Sequence, residues 1–162
     1  MRIFRPTALI AALCLLSTAV PAAALALPDM GGWRQGDTRS VSLDTVSGNW
    51  GSWQERTYTT PNGIYLRATL MEGKGPRFPF APMNGVEGDE GPIGTGGAYE
   101  SGTIGEYSYI YEYHPLLGHA FIVQMESSVL TIESGTTGTG RVGFISVAEE
   151  LVKAVEQVPK QK

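Results

Sequence analysis

The stretch 107–133 constrains the fold more than any other, because three short β-patterned segments follow one another there and an amphipathic helix pattern closes the chain soon after. Tyr107, Tyr109, Tyr111 and Tyr113 recur at period two, the spacing that places all four on one face of a strand. With the next loop at 114–119, Tyr113 faces Ala120, Tyr111 faces Ile122 and Ile110 faces Val123. With a tight turn at Glu126-Ser127, Val123 faces Leu130 and Phe121 faces Ile132. This register gathers Ile110, Phe121, Val123, Met125, Leu130 and Ile132 on one apolar face and sends the tyrosines to the opposite one.

The helix pattern decides which face is covered. Ser146 and Glu149 have capping-box spacing, so the helix is expected to begin there, and Pro159 stops it. Val147, Leu151, Ala154, Val155 and Val158 fall on one arc, with Glu149, Lys153 and Glu156 opposite. Burying that arc on the apolar side of the meander gives an α+β fold, a mainly antiparallel β-sheet with a C-terminal amphipathic helix packed on one face.

Ahead of the meander, 39–46 alternates in the manner of a half-buried strand. A hairpin is expected around Thr60-Pro61-Asn62-Gly63, with Ile64, Leu66, Ala68 and Leu70 inward and Tyr65, Arg67, Thr69 and Met71 outward. The segment 73–97 holds eight glycines, four prolines and the acidic cluster Glu87, Asp89 and Glu90, which predicts a long loop rather than regular structure. Neither half flanking this loop is large enough for a comfortable core, so 39–159 reads as a single domain preceded by an irregular leader, 27–38, pinned through Trp33.

The N-terminus carries Arg2 and Arg5, an uncharged apolar run over 8–20 and then small residues ending Ala24-Leu25-Ala26. This is the tripartite pattern of a cleaved signal peptide, 1–26, and the apolar run is short for a membrane-spanning helix. Removing 26 of 162 residues leaves 136 and removes Cys14, the one cysteine, so the mature chain has neither a disulfide nor a thiolate metal site. The expected location is the bacterial periplasm or the exterior, with no integral membrane segment after cleavage. Taking Arg2 and Arg5 from 12 basic residues leaves ten against 16 acids. With no basic cluster to reverse that field, nucleic acid is excluded as a partner.

Motifs for catalysis are sparse. Residues 138–143 match the dinucleotide fingerprint G-x-G-x-x-G, but the chain ends before the acidic partner that the fingerprint requires, so they read as a connector. His114 and His119 bracket one loop and are weak metal candidates if Glu112 joins them; nothing local supplies a fourth ligand. The acidic cluster lacks the ligand spacing of a calcium loop. No thiol, G-x-S-x-G elbow or triad signature supports nucleophilic catalysis, and no cofactor is implied. The remaining feature is the tyrosine face, Tyr107, Tyr109, Tyr111 and Tyr113, with Trp50 and Trp53 as contributors: an aromatic platform for a glycan, a peptide or a protein partner.

Residues 99–158 also carry a resemblance. The succession of a short strand ending Ile104-Gly105, the tyrosine strand, Phe121-Ile122-Val123, Leu130-Thr131-Ile132-Glu133 and the helix containing Glu149-Glu150-Leu151-Val152 resembles the C-terminal meander and helix of the PsbP-like superfamily and of some exported bacterial domains. That resemblance implies an antiparallel sheet covered by helices and a non-enzymatic accessory or binding role, with no catalytic residues to carry over. The chain departs from it at the front, where strands and Gly-rich coil replace an early helix. The functional expectation is therefore an exported binding or accessory protein of the cell envelope. Its alternative is a small hydrolase acting on an envelope polymer through carboxylates of the 73–97 loop.

Overall fold

The computed structural model describes residues 25–73, 87–89, 96–136 and 140–158. In chain order they form β1 (Arg34–Gln35), β2 (Arg39–Thr45), β3 (Gly48–Thr59), β4 (Tyr65–Gly73), β5 (Glu87–Asp89), β6 (Ala98–Ile104), β7 (Tyr107–His114), β8 (Gly118–Gln124), β9 (Ser128–Ser134) and α1 (Arg141–Gln157). All nine strands join one antiparallel sheet in the order β1-β3-β4-β9-β8-β7-β6-β5, with β2 placed end to end with β1 along the same edge of β3. The fold is α+β, with the single helix packed against the sheet. No helix among the described residues is long and apolar enough to cross a membrane.

Local chemistry sets the first hairpin. Gly63 takes a positive φ of 83° and donates its N–H to the Thr60 carbonyl, while the Thr60 hydroxyl oxygen accepts from Ile64 N–H. The expected faces follow, with Leu66, Ala68 and Leu70 buried and Tyr65 exposed on the other side. The β4 strand then pairs with β9, aligning Ala68 with Ile132 and Leu70 with Leu130. This long-range ladder joins the two halves of the chain into one sheet. Within 73–97, Glu87–Asp89 forms an edge strand on β6, so part of the expected loop is regular structure; Glu90 lies outside the described residues.

In the meander, β8 and β9 pair as the sequence predicts, with Val123 opposite Leu130 and Phe121 opposite Ile132. The β7–β8 register differs by one residue. Tyr111 faces Phe121, Tyr109 faces Val123 and Tyr113 faces His119. A one-residue slip turns a whole strand over, so the tyrosines share the helix face with Phe121 and Val123, and Ile110 points to the opposite face. The turn is the cause. Leu117 N–H bonds to the His114 carbonyl, and Gly118, at φ 98°, belongs to the ladder opposite His114 rather than to the loop. Three loop residues, 115–117, closed by a positive-φ glycine replace the six, 114–119, that the sequence suggested.

Helix α1 starts at Arg141 on Gly140, which supplies no side-chain cap, and Ser146 and Glu149 lie inside it. The earlier start places Phe144 in the first turn, where it is fully buried with Ala148, Leu151, Val152 and Val155. Burying a phenylalanine contributes about 1.5–3 kcal/mol, against about 1 kcal/mol for a cap, so packing outweighs the capping box. The stripe is rotated relative to the expected arc, with Val147 and Ala154 only partly buried.

The strand 39–46 is not half-buried. Most of β2 is exposed, Val41 at 52%. What covers the core over β3 and β4 is the expected leader: Leu27, Met30 and Trp33 are buried, and Trp33 meets Tyr58 edge-on with ring centroids 6.0 Å apart. Arg56 holds this segment by donating to the carbonyls of Leu27, Pro28 and Gly36 and to the Asp29 carboxylate. The Tyr58 hydroxyl also donates to the Pro28 carbonyl.

Two outcomes test this architecture. An alanine at Gly118 would put its Cβ against the Ser134 carbonyl at a φ that side chains disfavour, and urea unfolding is expected to show a loss of about 1–3 kcal/mol. Burial pushes the Tyr58 phenol up to about 12, against the opposing pull of the Arg56 charge. A phenol pKa raised by folding gives stability that is complete below the unfolded value near 10 and is lost as pH rises toward 12. The expected contribution is up to about 2–3 kcal/mol, measured as the part of the alkaline decline in stability that Tyr58→Phe removes.

Candidate functional site

The tyrosine ladder is not an open platform. Tyr111 is 2% exposed, and the other three are half-buried beneath α1. Tyr109 stacks on Phe121 with centroids 4.6 Å apart and donates its hydroxyl to Glu100. Glu100 in turn pairs with Arg141, whose guanidinium lies over the Tyr111 ring. Burial raises the Tyr107, Tyr109 and Tyr111 phenols, helped by Glu156, Glu106 and Glu126 at Tyr107, by Glu149 at Tyr109 and by Tyr113 at Tyr111. They remain neutral hydrogen-bonding groups. The ladder is therefore the bed on which the helix lies.

The two histidines part company. Tyr113 pairs with His119 and His114 with Gly118, so the imidazoles leave the sheet on opposite faces. His119 is 6% exposed; its Nδ1 lies 2.8 Å from the Tyr111 hydroxyl, and its ring packs against Tyr113 and Phe144. His114 accepts a hydrogen bond at Nδ1 from Leu116 N–H in the turn. The geometry does not assemble the metal pair, and no group of three metal-ligating residues occurs among the described residues. Trp53 lies on the open face between Val41 and Met71, while Trp50 is 46% exposed and donates its indole N–H to Ser47. Trp53 sits four residues along β3 from Thr57, the partner of Arg67, or about 13 Å away, so the tryptophans stand apart from the tyrosines and from the site below.

On the sheet face away from α1, a hollow of about 680 Å³ crosses five strands. Its floor is one transverse row of register partners, Arg67, Glu133, Ala120, Glu112 and Tyr99, contributed by β4, β9, β8, β7 and β6 in turn. Alternation along each strand puts these side chains on the open face. Ala120 leaves the centre shallow between two carboxylates. Tyr65, 56% exposed, and Tyr99, 47% exposed, offer rings at the two ends, roughly 19 Å apart at four strand spacings. The turn adds His114 and Leu117 at the rim.

The charges are arranged unequally. Arg67 donates both Nε–H and Nη2–H to Glu133 Oε2, at 2.9 and 2.7 Å, and this pairing raises the guanidinium further above its ordinary value. Both partners remain about half exposed, so the pair orients the groove more than it stabilises the fold. Glu112 is exposed across Ala120. The groove thus offers two rings, one guanidinium and two carboxylates. Neither aromatic wall was singled out by the sequence. Tyr65 and Arg67 were legible as outward residues of β4, but what places them beside Glu133 is the β4–β9 pairing, which no local pattern shows.

Comparison of the chain with family models, with curated proteins and with solved structures finds no match. The site is read from its own chemistry.

If the ladder is core, Tyr111→Ser should cost about 3–5 kcal/mol in chemical denaturation. The same change at exposed Tyr65 should stay within about 0.5 kcal/mol. Equal small losses at both positions would return the ladder to the surface.

Proposed function

We propose that the protein is an exported, non-enzymatic binding protein of the bacterial cell envelope, and that it holds a polyhydroxylated oligomer, a glycan chain, in the groove between Tyr65 and Tyr99. The observation that carries this reading is the transverse row itself: two exposed rings at the ends of a shallow floor that bears a fixed guanidinium–carboxylate pair and a second carboxylate.

The make-up of the groove narrows the ligand. Backbone donors and acceptors on a sheet face are committed to the ladders, so a peptide cannot bind there by strand addition, which belongs to an edge. Recognition falls to side chains. Two carboxylates against one guanidinium oppose a polyanion, in keeping with the acidic balance of the whole chain. A sugar ring suits what remains, with an apolar face for each tyrosine and hydroxyls for the charged groups. The spacing of the rings favours an extended ligand over a single small molecule. Export is supported by the N-terminal pattern of Arg2, Arg5, the apolar run and the small residues after it. The resemblance of 99–158 to PsbP-like domains points to the same non-enzymatic class.

Hydrolysis is the competing reading, because Glu112 and Glu133 flank Ala120 on the floor of the groove. Glu133 is already engaged by Arg67, which leaves Glu112 as the one carboxylate of the floor without that guanidinium. Binding is the better fit.

Sedimentation with purified peptidoglycan and titration with soluble oligosaccharides test the proposal. Tyr65→Ala and Tyr99→Ala should each weaken binding by about tenfold, as expected for losing a stacked ring worth around 1.4 kcal/mol, with the melting temperature unchanged. Retention that survives the double substitution would overturn the groove as the site. Release of reducing ends that depends on Glu112 would favour the hydrolase.

A further inference from the structure

The first residues described, 25–27, are built into the core side of the sheet. Leu25 N–H donates to Glu72 Oε2 at 3.1 Å, and Leu25 O accepts from Gln54 Nε2 at 2.7 Å. The other end of the same amide, Gln54 Oε1, accepts from Leu27 N–H at 3.3 Å. Gln54 is 8% exposed, so its amide bridges residues 25 and 27 as a neighbouring strand would. The Leu25 side chain packs against the core as well.

Two overlapping small-x-small sites occur here, Ala22-Ala23-Ala24 and Ala24-Leu25-Ala26. Both satisfy the small-residue rule of a signal peptidase. They differ in the end they leave. Cutting after Ala26 would discard Leu25, leaving the Glu72 carboxylate without this donor and the Gln54 amide N–H without this carbonyl acceptor. Cutting after Ala24 keeps every contact and converts the Leu25 amide donor into a positively charged one facing a carboxylate.

We infer that export processing cuts after Ala24, two residues before the site that the end of the small-residue string suggests, and that the Glu72 carboxylate holds the new α-ammonium group of Leu25. The step is a hydrolysis. Water's oxygen joins the Ala24 carbonyl carbon, and the Leu25 nitrogen leaves as an amine that takes up a proton. In a cleaved chain the contacts of Leu25 survive only if the cut falls before it.

The inference rests on the export reading, and one experiment separates the two. The full chain is expressed in a Gram-negative host, and the periplasmic and total fractions are examined by intact mass and N-terminal sequencing. A mature chain beginning at Leu25 is the expected result. A start at Leu27 would overturn the inference while keeping export, and a chain retaining Met1 in every fraction would overturn both. Ala26→Gln adds a second readout: it spoils only the later site, so processing should continue at Leu25, whereas loss of cleavage would place the cut after Ala26. In the mature protein, Glu72→Gln should lower the melting temperature of the Leu25-start form by several degrees and leave a Leu27-start form unmoved. Equal shifts in both would show that Glu72 does not hold the terminus.

Discussion

The β4–β9 ladder is the interaction on which the rest of the molecule depends. On its inner side it sets Ala68 against Ile132 and Leu70 against Leu130, all within 1% of complete burial. Without it, each half of the chain would be a partial sheet with too little apolar area to offset its conformational entropy. On its outer side the same ladder sets Arg67 against Glu133 and so starts the transverse row of the groove. Period-two alternation makes core and site two sides of one pairing.

The two faces are covered unequally. Over β7, β8 and β9 the helix buries Phe144, Ala148, Leu151, Val152 and Val155, and over β3 and β4 the segment through Leu27, Met30 and Trp33 closes the core. Among the described residues no element lies on the opposite face, and its side chains are mostly polar or small where the groove crosses. The tyrosine ladder belongs to the first face because its phenols serve there as long apolar bodies with a polar tip. Tyr109 reaches Glu100 and Tyr111 reaches His119. A whole row of rings suggests a surface only if its hydroxyls have no partners inside.

Much of this was legible where local chemistry decides. The Pro-Asn-Gly turn fixed the first hairpin and its faces, and the apolar alternation of Phe121, Val123, Leu130 and Ile132 fixed the β8–β9 register. The tyrosine face was misplaced because one glycine, Gly118, sits in the ladder and not in the loop, and a single residue of register exchanges the two faces. The helix start was misplaced for the opposite reason: a good capping box at Ser146 lost to the burial of Phe144, a tertiary gain that local propensity cannot register. The groove was out of reach for a third reason. Tyr65 and Tyr99 are distant in sequence, and only the complete order β4-β9-β8-β7-β6 brings them to the two ends of one groove.

The floor of the groove inherits its rigidity from the core beneath. Ala120 lies between His119 and Phe121, whose side chains point the other way into the stacked cluster of Tyr109, Tyr111, Tyr113 and Phe144. Because alternate residues of β8 are locked by that packing, the backbone under Ala120 has little freedom to move. Glu133 is similarly placed by its neighbours Ile132 and Ser134, both buried, with the Ser134 hydroxyl donating to the Tyr65 carbonyl. That hydrogen bond ties the strand bearing one carboxylate to the strand bearing one ring. A ligand entering the groove would therefore meet a surface already in its bound arrangement and lose little affinity to ordering it. A shallow site with few charged groups depends on that saving more than a deep one does. In the proposed binding, the aromatic bed on the far side of the sheet would contribute without touching the ligand, by holding β8 still.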